Sequence, residues 1–408
     1  MVWWVDRPIM NNSEKVVRDK FGETIDRLFQ SVNIMVVIRQ SSIDVDDIYR
    51  LLCNGVNIFN IDRTIQKEEL YDYLKEAVCE AVLIPRMYPS LYIRSVALSI
   101  TMSVNNPIEV DDRVRDQMFD LSSIDFIILK DVINKDEVIK FKTRHVKLGL
   151  PIFLWMSEIC MEKIIELIEI SDGIVFEFPD VSQRISSEVS EICKKYEKPL
   201  FYSKSNLFEE DYRYNGRQKM LSVAKEIVNG NMDGVMISDV NAPIEIFKNI
   251  ILNTVEALCL AEEGRELENW YTTLILKIKS PQLVPVTTMV AAVLAAWKSG
   301  VAAIMLLTAS GRSARMLSSL SSPFPILAIT AKESVARRLH LYRKVIPLHY
   351  KGRRAVNWRE EWRNRVLFGS EFALKTGLFC GGAKLVVLAQ SEEGAGCCNE
   401  FQIVIARA

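Results

Sequence analysis

The sequence predicts an α/β protein made of a closed (β/α)8 TIM barrel followed by a smaller α/β domain with an open, mostly parallel sheet. Short apolar, β-branched runs recur along the first part of the chain, segments with helical periodicity separate them, and the pattern changes after a charged stretch at 262–266. Continuous apolar strands that alternate with amphipathic helices are typical of parallel strands buried on both faces. Eight such units favour a closed barrel.

The barrel strands are predicted first, in chain order. They are Asn33–Ile38, Asn57–Ile61, Ser95–Ile100, Asp125–Leu129, Pro151–Trp155, Gly173–Phe176, Pro199–Tyr202 and Gly234–Ile237. Helices are predicted between them, for example over Ile43–Leu52 and Met161–Ile170, where apolar residues recur every three or four positions. We assign residues 31–263 to the barrel and residues 1–30 to an N-terminal helical arm.

Residues 264–408 are predicted to form the second domain. Its predicted elements are helix Val284–Lys298, strand Ala303–Leu307, helix Arg312–Leu320, strand Phe324–Thr330, helix Ala331–His340, strand Val345–Leu348, a helix from Trp358 to Thr376, and strands Lys384–Leu388 and Phe401–Ile405. This alternation indicates a small α/β domain with an open sheet.

Composition excludes several classes of function. The 408-residue chain is long enough for two cores, and its net charge of −1 gives no reason to expect nucleic acid or an anionic membrane as a partner. The eight scattered cysteines include no CxxC pair, so we expect reduced thiols and a cytoplasmic location. The longest apolar stretch contains Lys298 and Gly300 at its middle, which favours a buried helix and strand over a membrane span.

Short motifs in both halves of the chain match one family of enzymes. Gly55-Val56-Asn57-Ile58 and Ser171-Asp172-Gly173-Ile174 lie in the barrel, and His340-Leu341-Tyr342-Arg343 lies in the second domain. In this order they resemble pyruvate kinase, from about Val32 to Ala406. The resemblance implies a barrel that transfers a phosphoryl group from phosphoenolpyruvate to ADP with Mg²⁺ and K⁺, followed by an effector-binding domain. The inserted β-barrel lid domain of that family is expected to be absent near 99–107.

The resemblance also implies that the central catalytic positions are replaced. The phosphate-binding Arg becomes Asn60, and the catalytic Lys and metal-binding Glu after the fifth strand become Leu154 and Met156. Leu and Met offer neither the cation nor the hard oxygen ligand that phosphoryl transfer with Mg²⁺ requires. We therefore expect a catalytically inactive or strongly impaired homologue, with an active pyruvate kinase as the alternative.

A residual metal site is predicted on a few oxygens. By the resemblance, Asp180 matches a metal carboxylate, Glu158 would join it with a small alignment gap, and Asp62 and Thr64 lie where the family binds K⁺. A lone Asp before a helix is also a common N-cap, and we favour a cap or loop role for Asp180 over a metal ligand. Mg²⁺ and K⁺ are therefore expected as cofactors only if the protein is active.

Two cations near the predicted barrel mouth leave alternatives open. Lys204, which stands where the family has Thr, is an anion-binding group, the Schiff-base lysine of another kind of barrel enzyme, or a solvated loop residue. Arg63 has the opposite strand parity to Asn60, so it is a relocated phosphate ligand or a solvated charge.

An anion-binding loop is predicted in the second domain, where hydroxyls and a glycine follow a strand and open a helix. Its residues are Thr308, Ser310, Gly311, Arg312 and Ser313. The resemblance implies that this loop holds one phosphate of a sugar bisphosphate. Alternatively, Ser310 caps the helix and the glycine makes a turn.

The other ligands of this effector-like site follow from the resemblance. Trp358 and Arg365 would hold the second phosphate, and the loop 391–396 would close over the sugar, although Glu392 and Glu393 there would repel an anion. The expected partners are a sugar phosphate or another anion at this domain, and a homo- or hetero-oligomer with pyruvate kinase-like subunits. No nucleic acid and no membrane are expected.

Overall fold

The structure is a computed structural model of the chain. It describes residues 30–38, 43–62, 73, 76–78, 81, 95–104, 124–145, 149–157, 161–177, 183–203, 216–238, 244–264, 268–278, 282–392 and 397–406. The chain divides into two compact units, one of residues 32–83 and 96–263 and the other of residues 1–31, 84–95 and 264–408. The predicted helical arm lies outside the described residues, apart from Gln30.

One unit contains a closed barrel of eight parallel strands, in which each strand pairs with the next and β8 pairs with β1. The strands are β1 Asn33–Ile38, β2 Ile58–Asp62, β3 Ala97–Ser103, β4 Phe126–Lys130, β5 Ile152–Ser157, β6 Gly173–Glu177, β7 Leu200–Ser203 and β8 Gly234–Ser238. The helices are α1 Val45–Cys53, α2 Lys135–Arg144, α3 Met161–Ile170, α4 Gln183–Lys195, α5 Gly216–Asn229 and α6 Ile244–Glu263. The predicted barrel is confirmed.

Aromatic rings opposite glycines fill one layer of the barrel interior. The ring centroid of Phe153 on β5 lies 4.8 Å from that of Phe126 on β4 and 6.2 Å from that of Phe201 on β7. A Cβ atom at Gly173 would lie 2.2 Å from the Phe153 ring, and one at Gly234 would lie 2.1 Å from the Phe201 ring. The contact between β5 and β7 passes over Gly173 of β6, so the barrel has a packed core at this level rather than a pore.

A repeated hydrogen-bond pair joins the strands two by two at the amino-terminal end of the barrel. The residue before each even-numbered strand makes two hydrogen bonds with one partner residue on the preceding strand. It donates its backbone N–H to the carbonyl of the partner, and its side-chain oxygen accepts the backbone N–H of the partner. The donating residues are Asn57, Asp125, Asp172 and Asp233, and their partners are Ile34, Leu98, Ile152 and Leu200. Each pair satisfies a backbone N–H near the start of a buried strand.

Side-chain caps set the starts of several helices. The carboxylate of Asp44 accepts the Asp47 N–H before α1, and the amide oxygen of Asn134 accepts the Glu137 N–H before α2. These contacts satisfy N–H groups that the first turn of a helix leaves without an intrahelical partner. Among the described helices, none is both long and apolar enough to span a bilayer.

The other unit contains a five-stranded sheet of order β11-β10-β9-β12-β13, parallel except for β13. The strands are β9 Ala303–Leu307, β10 Ile326–Thr330, β11 Val345–His349, β12 Lys384–Ala389 and β13 Glu400–Ile405. The helices are α7 Glu268–Lys277, α8 Val284–Ser299, α9 Arg312–Ser319, α10 Glu333–Arg338 and α11 Trp358–Lys375, with a 3₁₀ turn at Leu339–Leu341. Apolar clusters cover both faces of the sheet. The predicted open, mostly parallel sheet is confirmed.

The structure describes only part of the segment between β3 and β4, from which the lid domain is expected to be missing. Strands β3 and β4 pair directly with each other from Ser99 to Ser103. Residues 105–123, which join them, lie outside the described residues. The absence of the lid domain stays a prediction.

Candidate functional site

Polar side chains converge inside the barrel at the carboxyl ends of β2 to β6. The Lys130 ammonium on β4 lies 2.9 Å from a carboxylate oxygen of Asp62 on β2, and β3 lies between these two strands. Side chains of strands that are not neighbours meet on the concave inner face of a barrel, so both point inward. In barrels of this kind, the carboxyl ends of the strands are where active sites lie.

Asn60, the position implied for a phosphate-binding Arg, belongs to a closed and neutral hydrogen-bond network. Its amide nitrogen donates to the Ser99 hydroxyl at 2.8 Å, and its amide oxygen accepts from the Thr101 hydroxyl at 2.8 Å. The Ser99 hydroxyl donates in turn to the Phe59 carbonyl at 3.3 Å. Asn60, Ser99 and Thr101 are all fully buried. The network therefore uses both ends of the Asn60 amide inside the protein.

A second group of contacts links four strands of the barrel mouth. Asp62 is fully buried beside Lys130, and the Lys130 ammonium lies 4.0 Å from the centroid of the Trp155 ring, within cation–π distance. The Trp155 indole N–H donates to the Glu177 carboxylate at 3.3 Å. We call Asp62, Lys130, Trp155 and Glu177 the mouth cluster. Asp62, one of the two predicted K⁺ ligands, therefore contacts an ammonium of the chain itself.

Leu154 and Met156 face away from this cluster. They alternate along β5 with Phe153 and Trp155, whose rings lie on the inner face, and successive side chains of a strand point to opposite faces. Both are buried, with exposed fractions of 0% and 1%. Shifting the family match by one residue would instead place Trp155, which is on the inner face, at a catalytic position. In either register β5, of sequence IFLWMS, contains no Lys and no Glu.

Several predicted site residues lie outside the described residues: Arg63, Thr64, Glu158, Asp180 and Lys204. The roles predicted for them stay predictions. Within the part of the chain that the structure describes, no three His, Cys, Asp or Glu side chains gather in a way that could hold a metal ion.

Sequence reasoning missed Lys130 and Glu177. Each is the last residue of its strand, directly after an apolar run, so the carboxyl end of a barrel strand carries a charge. That position alone is a signal for the mouth of a (β/α)8 barrel. Asp62 and Lys130 lie far apart in the sequence, so no local pattern indicated that they form a pair.

In the C-terminal unit, the predicted anion-binding loop follows β9. The Thr308 hydroxyl oxygen accepts the Gly311 N–H at 3.0 Å, and Gly311 has a φ of +81°, in the left-handed region that favours glycine. Ser310 and Arg312 are exposed, and the Ser310 hydroxyl lies 3.5 Å from the Arg312 N–H nitrogen. Thr308 and Gly311 thus fix the shape of the loop, while Ser310 and Arg312 face solvent at the start of α9.

Two further residues lie beside this loop at the carboxyl edge of the sheet. Burial raises the pKa of the Cys398 thiol, and the nearby Ser313 side chain partly offsets that rise. The Trp358 indole N–H donates to the carbonyl of Gln390, which follows β12, the strand next to β9. The structure therefore brings Trp358 to the sheet edge from which the loop extends.

Arg365 has partners within its own domain. Its Nη2 and Nε atoms lie 2.6 Å and 2.7 Å from Glu361, and its guanidinium lies 5.5 Å from the centroid of the Tyr350 ring. Glu361 also accepts the Ala355 N–H at 2.9 Å. Burial alone would raise the pKa of Glu361, but the hydrogen bonds from Ala355 and Arg365 outweigh it and hold the pKa below its usual value. Arg365 therefore helps to fasten the segment 350–357 to α11.

Comparisons with known proteins agree with this architecture. The family model described as "Pyruvate kinase, alpha/beta domain" matches residues 287–404. Pyruvate kinase of Candida albicans is 30% identical over 257 residues, which are 59% of this chain and 49% of that protein. Pyruvate kinase of Schizosaccharomyces pombe is 25% identical over 291 residues, 68% of this chain and 56% of that protein.

A third relative, pyruvate kinase of Agaricus bisporus, is 29% identical over 218 residues, 52% of this chain and 40% of that protein. The chain spans about half the length of the curated relatives it matches. A closed (β/α)8 barrel and a second α/β domain in one chain define the class of protein. Within that class, the second domain matches the pyruvate kinase α/β domain, and the chain is similar to the pyruvate kinases named above.

Proposed function

We propose that the protein is a catalytically inactive pyruvate kinase homologue that acts in glycolytic metabolism by binding a ligand or a partner protein. The observation that carries this proposal is the closed network around Asn60. Phosphoryl transfer depends on cations and metal ions that face the substrate and cancel the charge on its phosphate oxygens. A buried amide whose nitrogen and oxygen are both hydrogen-bonded within the barrel offers no such charge.

The charge of the mouth cluster supports the same proposal. The Lys130 ammonium is paired with the Asp62 carboxylate at 2.9 Å, so a side chain of the barrel offsets its charge. Phosphoenolpyruvate and ADP are both anions, and an ammonium paired in this way attracts them less strongly than an unpaired ammonium would. The predicted absence of the lid domain would also leave the reaction open to water.

The predicted ligand site is the loop of the C-terminal unit. Exposed Ser310 and Arg312, at the amino-terminal end of α9, are of the types that bind phosphate, and Trp358 comes from the same sheet edge. We propose a sugar phosphate or a related anion as ligand. Glu361 neutralises the charge of Arg365. We therefore propose that Arg365 positions the segment before α11 and does not itself bind the phosphate. Assembly with pyruvate kinase-like subunits is the second part of the proposed role.

A coupled assay of pyruvate formation tests the proposal. Purified protein is supplied with phosphoenolpyruvate, ADP, Mg²⁺ and K⁺, with and without fructose bisphosphate. We expect no turnover above background, together with a rise in melting temperature when fructose bisphosphate is present. Turnover that disappears in an Asp180→Ala variant would refute the proposal, because this change removes the one metal carboxylate that the family match retains.

An active pyruvate kinase is the second candidate, and one observation favours it. Lys130 provides an inward-facing ammonium, 19% exposed, which the sequence comparison had not identified. In this candidate Lys130 would take over the role of a lost cation, with Mg²⁺ held at Asp180. Lys130→Met would then abolish pyruvate formation, whereas the first proposal expects no activity to lose.

A further inference from the structure

We propose that the barrel mouth contains a cation-binding cage whose occupant is the ammonium of Lys130, so that a side chain takes the place of an exchangeable cation at Asp62. The ligand class of this cage is the small monovalent cation, inorganic or alkylammonium. The inference does not depend on whether the protein is a pseudoenzyme or an active kinase.

The walls of the cage are the types of group that attract a cation. The Asp62 carboxylate, fully buried, lies 2.9 Å from the ammonium on one side. The face of the Trp155 indole lies on another side, with its ring centroid 4.0 Å from the ammonium. An aromatic face and a carboxylate around one ammonium are the elements by which proteins bind alkylammonium groups.

Glu177 strengthens the cage through Trp155. Its carboxylate accepts the indole N–H at 3.3 Å, which fixes the orientation of the ring and adds negative charge behind it. A hydrogen bond from the indole N–H to an anion increases the electron density of the ring face that Lys130 contacts.

Contacts next to Lys130 fix the position of its backbone. Lys130 on β4 lies opposite Ser103 on β3. The Ser103 hydroxyl donates to the carboxylate of Asp131, the residue after Lys130. A tethered ammonium loses little translational freedom on entering the cage, in contrast to a free ion. Lys130 therefore competes strongly with dissolved cations, and the wild-type protein should be indifferent to which monovalent cation is present.

Shortening Lys130 should open the cage. Thermal unfolding of Lys130→Ala is followed at constant ionic strength in the chloride salts of potassium, ammonium, methylammonium and N-methylglucamine, the last being too large to enter. In the N-methylglucamine salt the variant should melt below the wild type. The three small cations should restore its melting temperature saturably, by roughly 2–4 °C, because they bind only the folded cage.

The control variants separate the cage from general effects of salt. Lys135→Ala removes an exposed ion pair with Glu166, 3.2 Å long, and should show no preference among cations. The double change Lys130→Ala with Asp62→Asn should lose the response to small cations. Lys130→Ser, which shortens the side chain as Lys130→Ala does, replaces Lys130→Ala if the latter does not fold.

Two results would overturn the proposal. One is equal melting of Lys130→Ala, or of Lys130→Ser in its place, in all the salts, which would mean that no cage exists. The other is a saturable stabilisation of the wild type by small cations that Asp62→Asn abolishes, which would mean that Lys130 does not occupy the site.

Discussion

The barrel mouth and the loop after β9 are the two places where the family would bind phosphate, and their polar groups are used differently. At the mouth, Asn60 and Asp62 are fully buried and bonded to other side chains of the barrel. In the loop, Thr308 is bonded internally while Ser310 and Arg312 stay exposed. Polar residues at the barrel mouth therefore stabilise the fold, whereas Ser310 and Arg312 of the loop remain accessible to a ligand.

Substitutions at the two places should therefore have different effects on the free energy of unfolding and on ligand binding. Substitutions at the mouth should reduce the free energy of unfolding, since they leave buried groups unsatisfied. Substitutions of the exposed loop residues should reduce ligand binding with little change in stability.

The largest effect is expected for Asn60→Arg, which restores the residue type that the family match implies. The change would place a guanidinium inside a buried neutral network and break its contacts with Ser99 and Thr101. We expect a loss of about 4 kcal/mol or more in the free energy of unfolding, measured by urea denaturation. Ser99→Ala is the milder control. A stable Asn60→Arg protein that forms pyruvate would contradict the claim that the polar groups of the barrel mouth stabilise the fold and do not bind substrate.

Glu361→Gln should have the next largest effect. Glu361 bonds both Arg365 and the Ala355 N–H, and losing its charge should cost about 2 kcal/mol near neutral pH. The pKa of Glu361 is lower in the folded protein than its usual value of 4.5, so this stabilisation is complete above that pH and is lost as the pH falls through the folded value.

The measurement for Glu361 is the difference in urea midpoint between wild type and Glu361→Gln across the acidic range. The difference should narrow as the pH falls below 4.5. A difference that stays constant with pH would show that the charge of Glu361 does not stabilise the domain. Arg363→Ala, on the same helix and exposed, serves as the control.

Thr308→Val should cost about 1 kcal/mol, because the Gly311 N–H loses its acceptor while the side chain keeps its shape. Thr308→Ser retains the hydroxyl and should stay near the wild type. Chemical denaturation of both variants measures the effect. Equal stability of the two would mean that the hydroxyl does not shape the loop.

Ser310→Ala should have the smallest effect on stability, within about 0.5 kcal/mol, because Ser310 is exposed. The same change should remove most of the stabilisation that fructose bisphosphate or inorganic phosphate gives in thermal unfolding. Ser310→Thr, which keeps a hydroxyl, should retain it. If Ser310→Ala responds to these anions like the wild type, the loop is not the ligand site.

The sequence predicted the fold better than the barrel site. Strand Ala303–Leu307 and helix Met161–Ile170 were predicted with the bounds that the structure has, because hydrophobic periodicity depends on local geometry. The pair of Asp62 and Lys130 joins residues 68 positions apart, and it depends on how the barrel closes. No local pattern contains that information.

Strand parity explains another limit. Counting along the chain placed Leu154 and Met156 at catalytic positions, yet an offset of one residue reverses the face of a strand, and Trp155 is the side chain that meets Lys130. By contrast, the pair of Glu361 and Arg365 follows the i, i+4 spacing of a helix and could be expected from the sequence.

Calorimetric titration of the wild-type protein with phosphoenolpyruvate in Mg²⁺ and K⁺, beside a titration with fructose bisphosphate, tests the central claim most directly. We expect no saturable heat with phosphoenolpyruvate and saturable binding of fructose bisphosphate that Ser310→Ala removes. Saturable, Mg²⁺-dependent binding of phosphoenolpyruvate that Lys130→Met removes would contradict it, because the barrel mouth would then still be a substrate site.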